Sequence, residues 1–210
     1  VRRITQDPDG GLWFAVFGRG LAHFDGDRLR WYDHDRGLLD NRVTDMLWDR
    51  DGLLWVTGYS GVSRFDGRVW TTFTHDDGLP RGGATSVIQP SSGDLWIAFY
   101  GEGEPYDGGV ARYDGSTWTT YDEDTSDVLE RVMSAYEDVD GTLWFAGSAG
   151  VIRFREGAWE SFAHEQGFTI PDAYGTLRDR EGYLWFATME GAARYDDDGL
   201  TIYSSEDGMP

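Results

Sequence analysis

The sequence has no cysteine and no lysine, and its 18 basic residues, all arginine, face 38 acidic ones for a net charge of −20. Without cysteine there is no disulfide, no thiolate metal site and no cysteine nucleophile. A surplus of negative charge excludes the basic footprint that a polyanion requires, so neither nucleic acid nor an anionic membrane is expected as a partner. No window approaches the roughly eighteen apolar residues of a membrane-spanning helix. Val1-Arg2-Arg3-Ile4 runs into a polar turn instead of a secretory apolar segment, so no export signal is read there. What the chain does have is aromatic residues, 15% of 210 including ten Trp, which is ample material for a packed core and excludes intrinsic disorder.

Self-similarity organises the whole chain. A Leu-Trp pair recurs at Trp13, Trp55, Trp96, Trp144 and Trp185, a period of about forty-two residues. Three residues before each Trp stands a glycine (Gly10, Gly52, Gly93, Gly141, Gly182), and twelve before it a small apolar residue (Val1, Val43, Ala84, Val132, Ala173). A second glycine (Gly20, Gly61, Gly109, Gly150, Gly191) is followed four residues later by Phe24, Phe65, Tyr113, Phe154 and Tyr195. Eight residues beyond these come Tyr32, Phe73, Tyr121, Phe162 and Tyr203.

Each unit holds four short runs rich in β-branched and aromatic residues, separated by Gly and Asp turn signals, with no helical period. In the second unit they are Val43 to Asp49, Leu54 to Gly58, Val62 to Asp66 and Val69 to Thr74. Four antiparallel strands per unit, repeated radially, make a β-propeller blade. The sequence therefore predicts one all-β domain over 1–210, a five-bladed propeller with blades at about 1–39, 40–80, 81–128, 129–169 and 170–210. Every blade takes its four strands from one continuous segment, so the ring is expected to close without a shared velcro strand. The first and fifth blades would meet through faces that include Trp13, Phe24, Trp185 and Tyr195. A longer propeller cut in phase gives the same pattern.

The unit Asn41-Arg42-Val43-Thr44-Asp45-Met46-Leu47-Trp48-Asp49-Arg50-Asp51-Gly52-Leu53-Leu54-Trp55-Val56-Thr57-Gly58, followed by Gly61-Val62-Ser63-Arg64-Phe65-Asp66, resembles the two-component regulator propeller repeat. Gly78-Leu79-Pro80 and Gly208-Met209-Pro210 are similar to its inter-blade turn. The resemblance implies a ligand-sensing propeller of the kind found in the periplasmic part of hybrid histidine kinases that detect polysaccharide breakdown products, and hence a periplasmic or extracellular location. Departures are Pro90 in place of the turn Asp and Ser126-Asp127-Val128 in place of Gly-Leu-Pro. No kinase or transmembrane helix accompanies the repeats.

Strand direction sorts the loops onto two faces. One carries the recurring Asp-x-Asp-Gly and Phe-Asp-Gly turns, which hairpins require and which lack the spacing of a calcium loop. The other carries the blade linkers and the turns between second and third strands, where the units differ, and surface loops on a rigid scaffold are the usual place for binding. Candidate ligand-binding residues there are Arg19, Tyr59 and Met189 in the turns and Arg42, Arg131 and Tyr174 at the starts of inner strands. Tyr100, Glu102, Glu104 and Tyr106 lie in the insertion that lengthens the third unit. Tyr faces with carboxylate acceptors suit a sugar ring or a cation, and Arg42 and Arg131 suit a carboxylate-bearing ligand or neutralise neighbouring Asp residues. His34, His75 and His164 share an outer-strand position too far from the axis to converge on a metal, and His23 has no evident partner. Neither a metal, a cofactor nor a catalytic residue is assigned. The reading is a monomeric, non-enzymatic module that binds a small saccharide or peptide at the channel mouth. A structural scaffold, natural or engineered, without a small-molecule site is the second reading, and a polysaccharide lyase or glycosidase the third.

Overall fold

The computed structural model describes residues 1–101, 108–122, 125, 129, 131–148, 150–161, 172–196 and 199–208. They form five antiparallel sheets, each of four strands in sequential order. The first blade comprises β1 (Arg3–Gln6), β2 (Leu12–Val16), β3 (Gly20–Phe24) and β4 (Leu29–Tyr32). The second has β5 (Val43–Trp48), β6 (Leu54–Gly58), β7 (Gly61–Phe65) and β8 (Trp70–Phe73), and the third β9 (Gly83–Ile88), β10 (Leu95–Tyr100), β11 (Gly109–Tyr113) and β12 (Trp118–Tyr121). In the fourth are β13 (Val132–Glu137), β14 (Leu143–Gly147), β15 (Gly150–Arg155) and β16 (Ala158–Ser161). The fifth holds β17 (Ala173–Arg178), β18 (Leu184–Thr188), β19 (Gly191–Asp196) and β20 (Gly199–Tyr203). The four runs read from the second unit match its strands to within about a residue. Short 3-10 turns, which the sequence pattern did not announce, follow the last strands at His34–Arg36, His75–Asp77 and Ser205–Asp207.

Repeat positions acquire physical reasons. In the first, second and fifth blades the leading Asp of the turn after the first strand accepts two hydrogen bonds at once, whereas the third has Pro90 there. Asp49 takes one from Leu53 N at 2.8 Å and one from the Trp55 indole Nε1 at 2.7 Å. Asp7 does the same for Gly11 and Trp13, and Asp179 for Tyr183 and Trp185. The six-residue spacing from Asp to Trp thus ties the hairpin turn to the largest side chain of the sheet. Each of Trp13, Trp55, Trp96 and Trp185 then stacks on the outer-strand aromatic of its own blade, Tyr32, Phe73, Tyr121 and Tyr203, with ring centroids 5.0 to 5.7 Å apart. The second glycine recurs because its φ is positive and a Cβ on Gly20, Gly61, Gly109 or Gly191 would lie within 2.4 Å of the carbonyl of that same aromatic.

His23 stands where the other blades have Arg64, Arg112, Arg153 and Arg194. Its Nε2 lies 2.8 Å from Asp7 Oδ2 and its ring stacks on Trp13 at 4.5 Å. The expectation that it lacks a partner is corrected: the imidazole replaces the guanidinium that covers the Trp in other blades, as Arg64 covers Trp55 at 5.5 Å.

The core is made between blades, not within them. One cluster joins Trp13, Ala15 and Leu21 to Val43, Met46, Leu54, Val56 and Phe65 of the next blade. The same contact recurs from Trp55 to Leu95, Ile97 and Phe99, from Trp96 to Leu143 and Phe145, and from Trp144 to Leu184 and Phe186. Middle strands are therefore covered on both faces, which is why β6 and β14 are buried throughout and read as continuous apolar runs instead of alternating ones. Trp13 and Tyr195, assigned above to contacts between the first and fifth blades, pack instead on the second and fourth.

Polar contacts cross the same boundaries. Arg178 of the fifth blade donates from Nε to the buried Asp138 of the fourth at 2.5 Å and also from Nη2. Burial raises the Asp138 pKa, but the Arg178 hydrogen bonds and charge outweigh it and hold the carboxyl below its ordinary 3.8. Stability from this group is present above pH 3.8 and is lost as pH falls through the depressed folded value. Urea midpoints measured from pH 5 to pH 2 should fall with acidification, and Asp138→Asn should be less stable at pH 5 with a shallower acid limb. Asp49→Ala leaves an indole and a backbone N–H without their acceptor and should lower unfolding free energy by about 2–3 kcal/mol, read from the same titration at pH 7.

Candidate functional site

In the second to fifth blades the inner strand carries a β-bulge at the residue after its small apolar residue. Thr44, Thr85, Met133 and Tyr174 each have no cross-strand partner, because the ladder register shifts around them. Arg2 holds the same position in the first blade. Bulges re-aim side chains and are frequent beside functional sites. Here they lace the inner strands together: Thr44 Oγ1 donates to Ala84 O at 2.6 Å and Thr85 Oγ1 to Val132 O at 2.9 Å.

Four of these five positions, Arg2, Thr44, Thr85 and Met133, line a cavity of about 660 Å³ at the mouth where blade linkers meet the turns between second and third strands. Tyr59 and Ser60 enter from the turn of the second blade, His75 and Pro80 to Gly83 from the linker, and Tyr100 from the end of β10. The linker threads between the two tyrosines. Gly82 has φ +105°, and a Cβ there would sit 2.5 Å from the Tyr100 carbonyl oxygen, while a Cβ on Gly83 would touch the Tyr59 ring.

An aromatic paired with an arginine repeats around this mouth. The residue four after the Leu-Trp tryptophan is Phe17, Tyr59 and Tyr100 in the first three blades. Arg2 lies over Phe17 at 4.5 Å, Arg42 over Tyr59 at 4.7 Å and Arg131 over Tyr100 at 5.8 Å. Phe17 and Tyr59 also meet edge to face at 6.0 Å. Three rings and three guanidiniums form a crescent over consecutive blades.

Charge within the crescent is not uniform. Arg42 is held by Asp40, with Nη2 to Oδ2 at 3.0 Å and Nε to Oδ1 at 3.3 Å, and Ser60 Oγ donates to the same carboxylate. Burial raises the Asp40 pKa, yet the hydrogen bonds from Arg42 and Ser60 leave it below 3.8. The pair with Asp40 is the neighbouring-Asp contact read for Arg42. Among the described residues, no carboxylate lies within ion-pair distance of Arg2 or Arg81. Behind the mouth Asp45 is buried at the inner strand, 2.8 Å from Arg3 Nε, and burial pushes its pKa up despite that cation.

The structure thus brings Arg42, Tyr59 and Tyr100 to one cavity and sets Arg131 on Tyr100. Arg19, Tyr174 and Met189 are exposed and lie outside the lining. Glu102, Glu104 and Tyr106 fall outside the described residues, as does His164. His34 is exposed as expected, whereas His75, also exposed, reaches the cavity rim. Sequence reasoning missed Arg2, Thr44, Thr85 and Arg81. The signal was present, since the residue after each small apolar inner-strand residue occupies a fixed repeat position.

Residues 37–60 match the family described as Two component regulator propeller. They are one such repeat. No curated protein matches the chain. Among solved structures, an extracellular domain assigned to a hybrid two component system of B. thetaiotaomicron superposes with TM-score 0.79 at 18% identity, over 99% of this chain and 29% of that one. A streptogramin B lyase gives 0.66 at 17% identity over 96% and 67%, and an ancestral GH74 enzyme 0.70 at 15% over 97% and 31%. These likenesses concern the propeller fold, and the chain spans under a third of the first of them.

Because Gly82 combines positive φ with backbone overlap, Gly82→Ala should lower stability by more than about 1 kcal/mol. The linker must then leave the tyrosines, so near-ultraviolet circular dichroism should change. Gly52→Ala, where a Cβ would meet open space, should leave that spectrum unaltered.

Proposed function

We propose that this propeller binds a carboxylate-bearing saccharide, of the uronic acid type, at the mouth formed by its first three blades. One observation carries the reading: Arg2, Arg42 and Arg81 converge on a single cavity in a chain whose net charge is −20. Cations concentrated against the overall field need a local reason, and guanidinium forks match carboxylates in both charge and geometry. Thr44, Thr85 and Ser60 add hydroxyls, while Tyr59 and Tyr100 add flat apolar faces with a polar tip, a combination suited to a polyhydroxylated ring. The propeller fold of extracellular sensor domains fits the same reading.

A binding role is favoured over glycoside hydrolysis by what the described lining contains. Its titratable groups are arginines, tyrosines and His75, with no pair of carboxyl groups set across the cavity as glycoside hydrolysis requires. Turnover of a uronate polymer by the purified protein would reverse that preference.

Calorimetry with a galacturonate oligomer and its neutral galactose counterpart tests the proposal. The acidic oligomer should bind, with affinity weakened by added salt. Arg81→Ala should weaken it about tenfold or more, the loss of one charge-assisted contact, and Asp40→Asn should strengthen it by releasing Arg42. Equal binding of both oligomers, or an unchanged affinity in Arg81→Ala, would sink the idea.

A further inference from the structure

Among the described residues lining the mouth, His75 is the one side chain of a type that changes charge between about pH 5 and about pH 8. It opens the 3-10 turn His75–Asp77, which Thr74 and Asp77 cap reciprocally, Asp77 Oδ2 accepting from Thr74 N at 2.8 Å. Its Nδ1 lies 3.1 Å from Leu79 O, and Leu79 is 2% exposed, anchored in the cluster between the second and third blades. A carbonyl oxygen only accepts, so Nδ1 carries a proton in both charge states of the ring. The change therefore falls on Nε2, which is a bare acceptor in the neutral ring and an N–H donor in the cation. His34, at the same repeat position in the first blade, has its Nδ1 3.2 Å from the Leu39 carbonyl and lies outside the lining. Clipping a linker thus does not by itself require a place in the cavity.

A neutral Nε2 and a carboxylate oxygen are both acceptors and gain nothing from each other. The cation donates to a carboxylate and joins the charges of Arg2, Arg42 and Arg81 around the same cavity. We infer, on the reading of this mouth as a site for an acidic saccharide, that His75 is a ligand-contacting residue whose protonation strengthens binding. A bound carboxylate favours the cation in turn, so proton and ligand each promote uptake of the other. The other charged and titratable groups around the ring are Asp76 and Asp77 on its own turn, Arg81 on the linker, and Arg2 and Arg42 at the starts of the first two inner strands. Tyr59 and Tyr100 complete the set. Asp77 is turned back to Thr74, and Asp40 is occupied by Arg42 and Ser60. Behind the mouth, the buried Asp45, whose pKa burial raises, is the competing source of a pH response.

The test is calorimetry with a galacturonate oligomer at constant ionic strength, from about pH 5 to about pH 8. The unaltered chain should bind about fivefold more tightly at the acid end, the gain of one charge-assisted contact at an exposed position. His75→Asn keeps a side-chain N–H for the Leu79 carbonyl but cannot titrate, so its affinity should be the same at both ends of the range. His75→Arg carries a fixed charge and should be equally flat. His34→Asn should retain the slope of the unaltered chain. Absence of binding by the unaltered chain at every pH would overturn the acidic-saccharide reading and this inference with it. Binding that does not vary with pH, or a slope that survives in His75→Asn and so belongs to a group such as Asp45, would overturn this inference alone.

Discussion

Everything in this molecule depends on sheets pressed face to face. A four-stranded sheet of this length has too little interior to stand alone, and its two apolar faces are worth roughly 1.5 to 3 kcal/mol per large side chain only when another sheet covers them. The hydrophobic clusters accordingly straddle blade boundaries. Local motifs serve that contact. The turn Asp fixes the indole that forms the leading edge of one face, and the second glycine lets the outer strand approach closely enough for its aromatic to stack beneath that indole. Arginine or histidine over the Trp completes the sandwich with a group that reaches solvent.

Such a construction leaves the inner strands free to vary. Their ladder bonds are supplied by the backbone and their covered faces by the small apolar residue, so the bulged residue next to it has no packing duty common to all blades. Threonine there crosslinks two blade boundaries, and Met133, Tyr174 and Arg2 replace it elsewhere. The mouth is the sum of those substitutions with the aromatic that ends the second strand. Residues at the mouth can therefore vary one at a time without disturbing the faces that hold the blades together.

Most of the architecture was legible because repetition converts one sequence into five readings of the same sheet. Strand boundaries, turn chemistry and the face on which blades vary could be taken from aligned positions alone. Arg42, Tyr59 and Tyr100 were found in that way, and the structure sets them around one cavity. The threonines escaped because a bulge is a feature of register, and register depends on pairing between strands that a linear pattern does not display. The partner of His23 escaped for a related reason: Asp7 is distant in sequence but lies across a hairpin.

The same limit explains the contact between the first and fifth blades. Periodicity specifies what each face is made of, and the composition of β2 and β18 is that of any other blade. It does not specify the angle between neighbouring sheets, which sets how many are needed to return to the start. That angle comes from how deeply Trp and Ala of one blade sink into the Leu and Phe ridge of the next, a property of packing in three dimensions. Five interfaces can be written into five units, yet among the described residues the hydrophobic clusters form only at the four between consecutive blades. The exposed Ile4, Leu12 and Phe24 are the residue-level record of that geometry. Blade number in a propeller is thus decided by side-chain depth at the boundary, whereas blade identity is decided by the repeat.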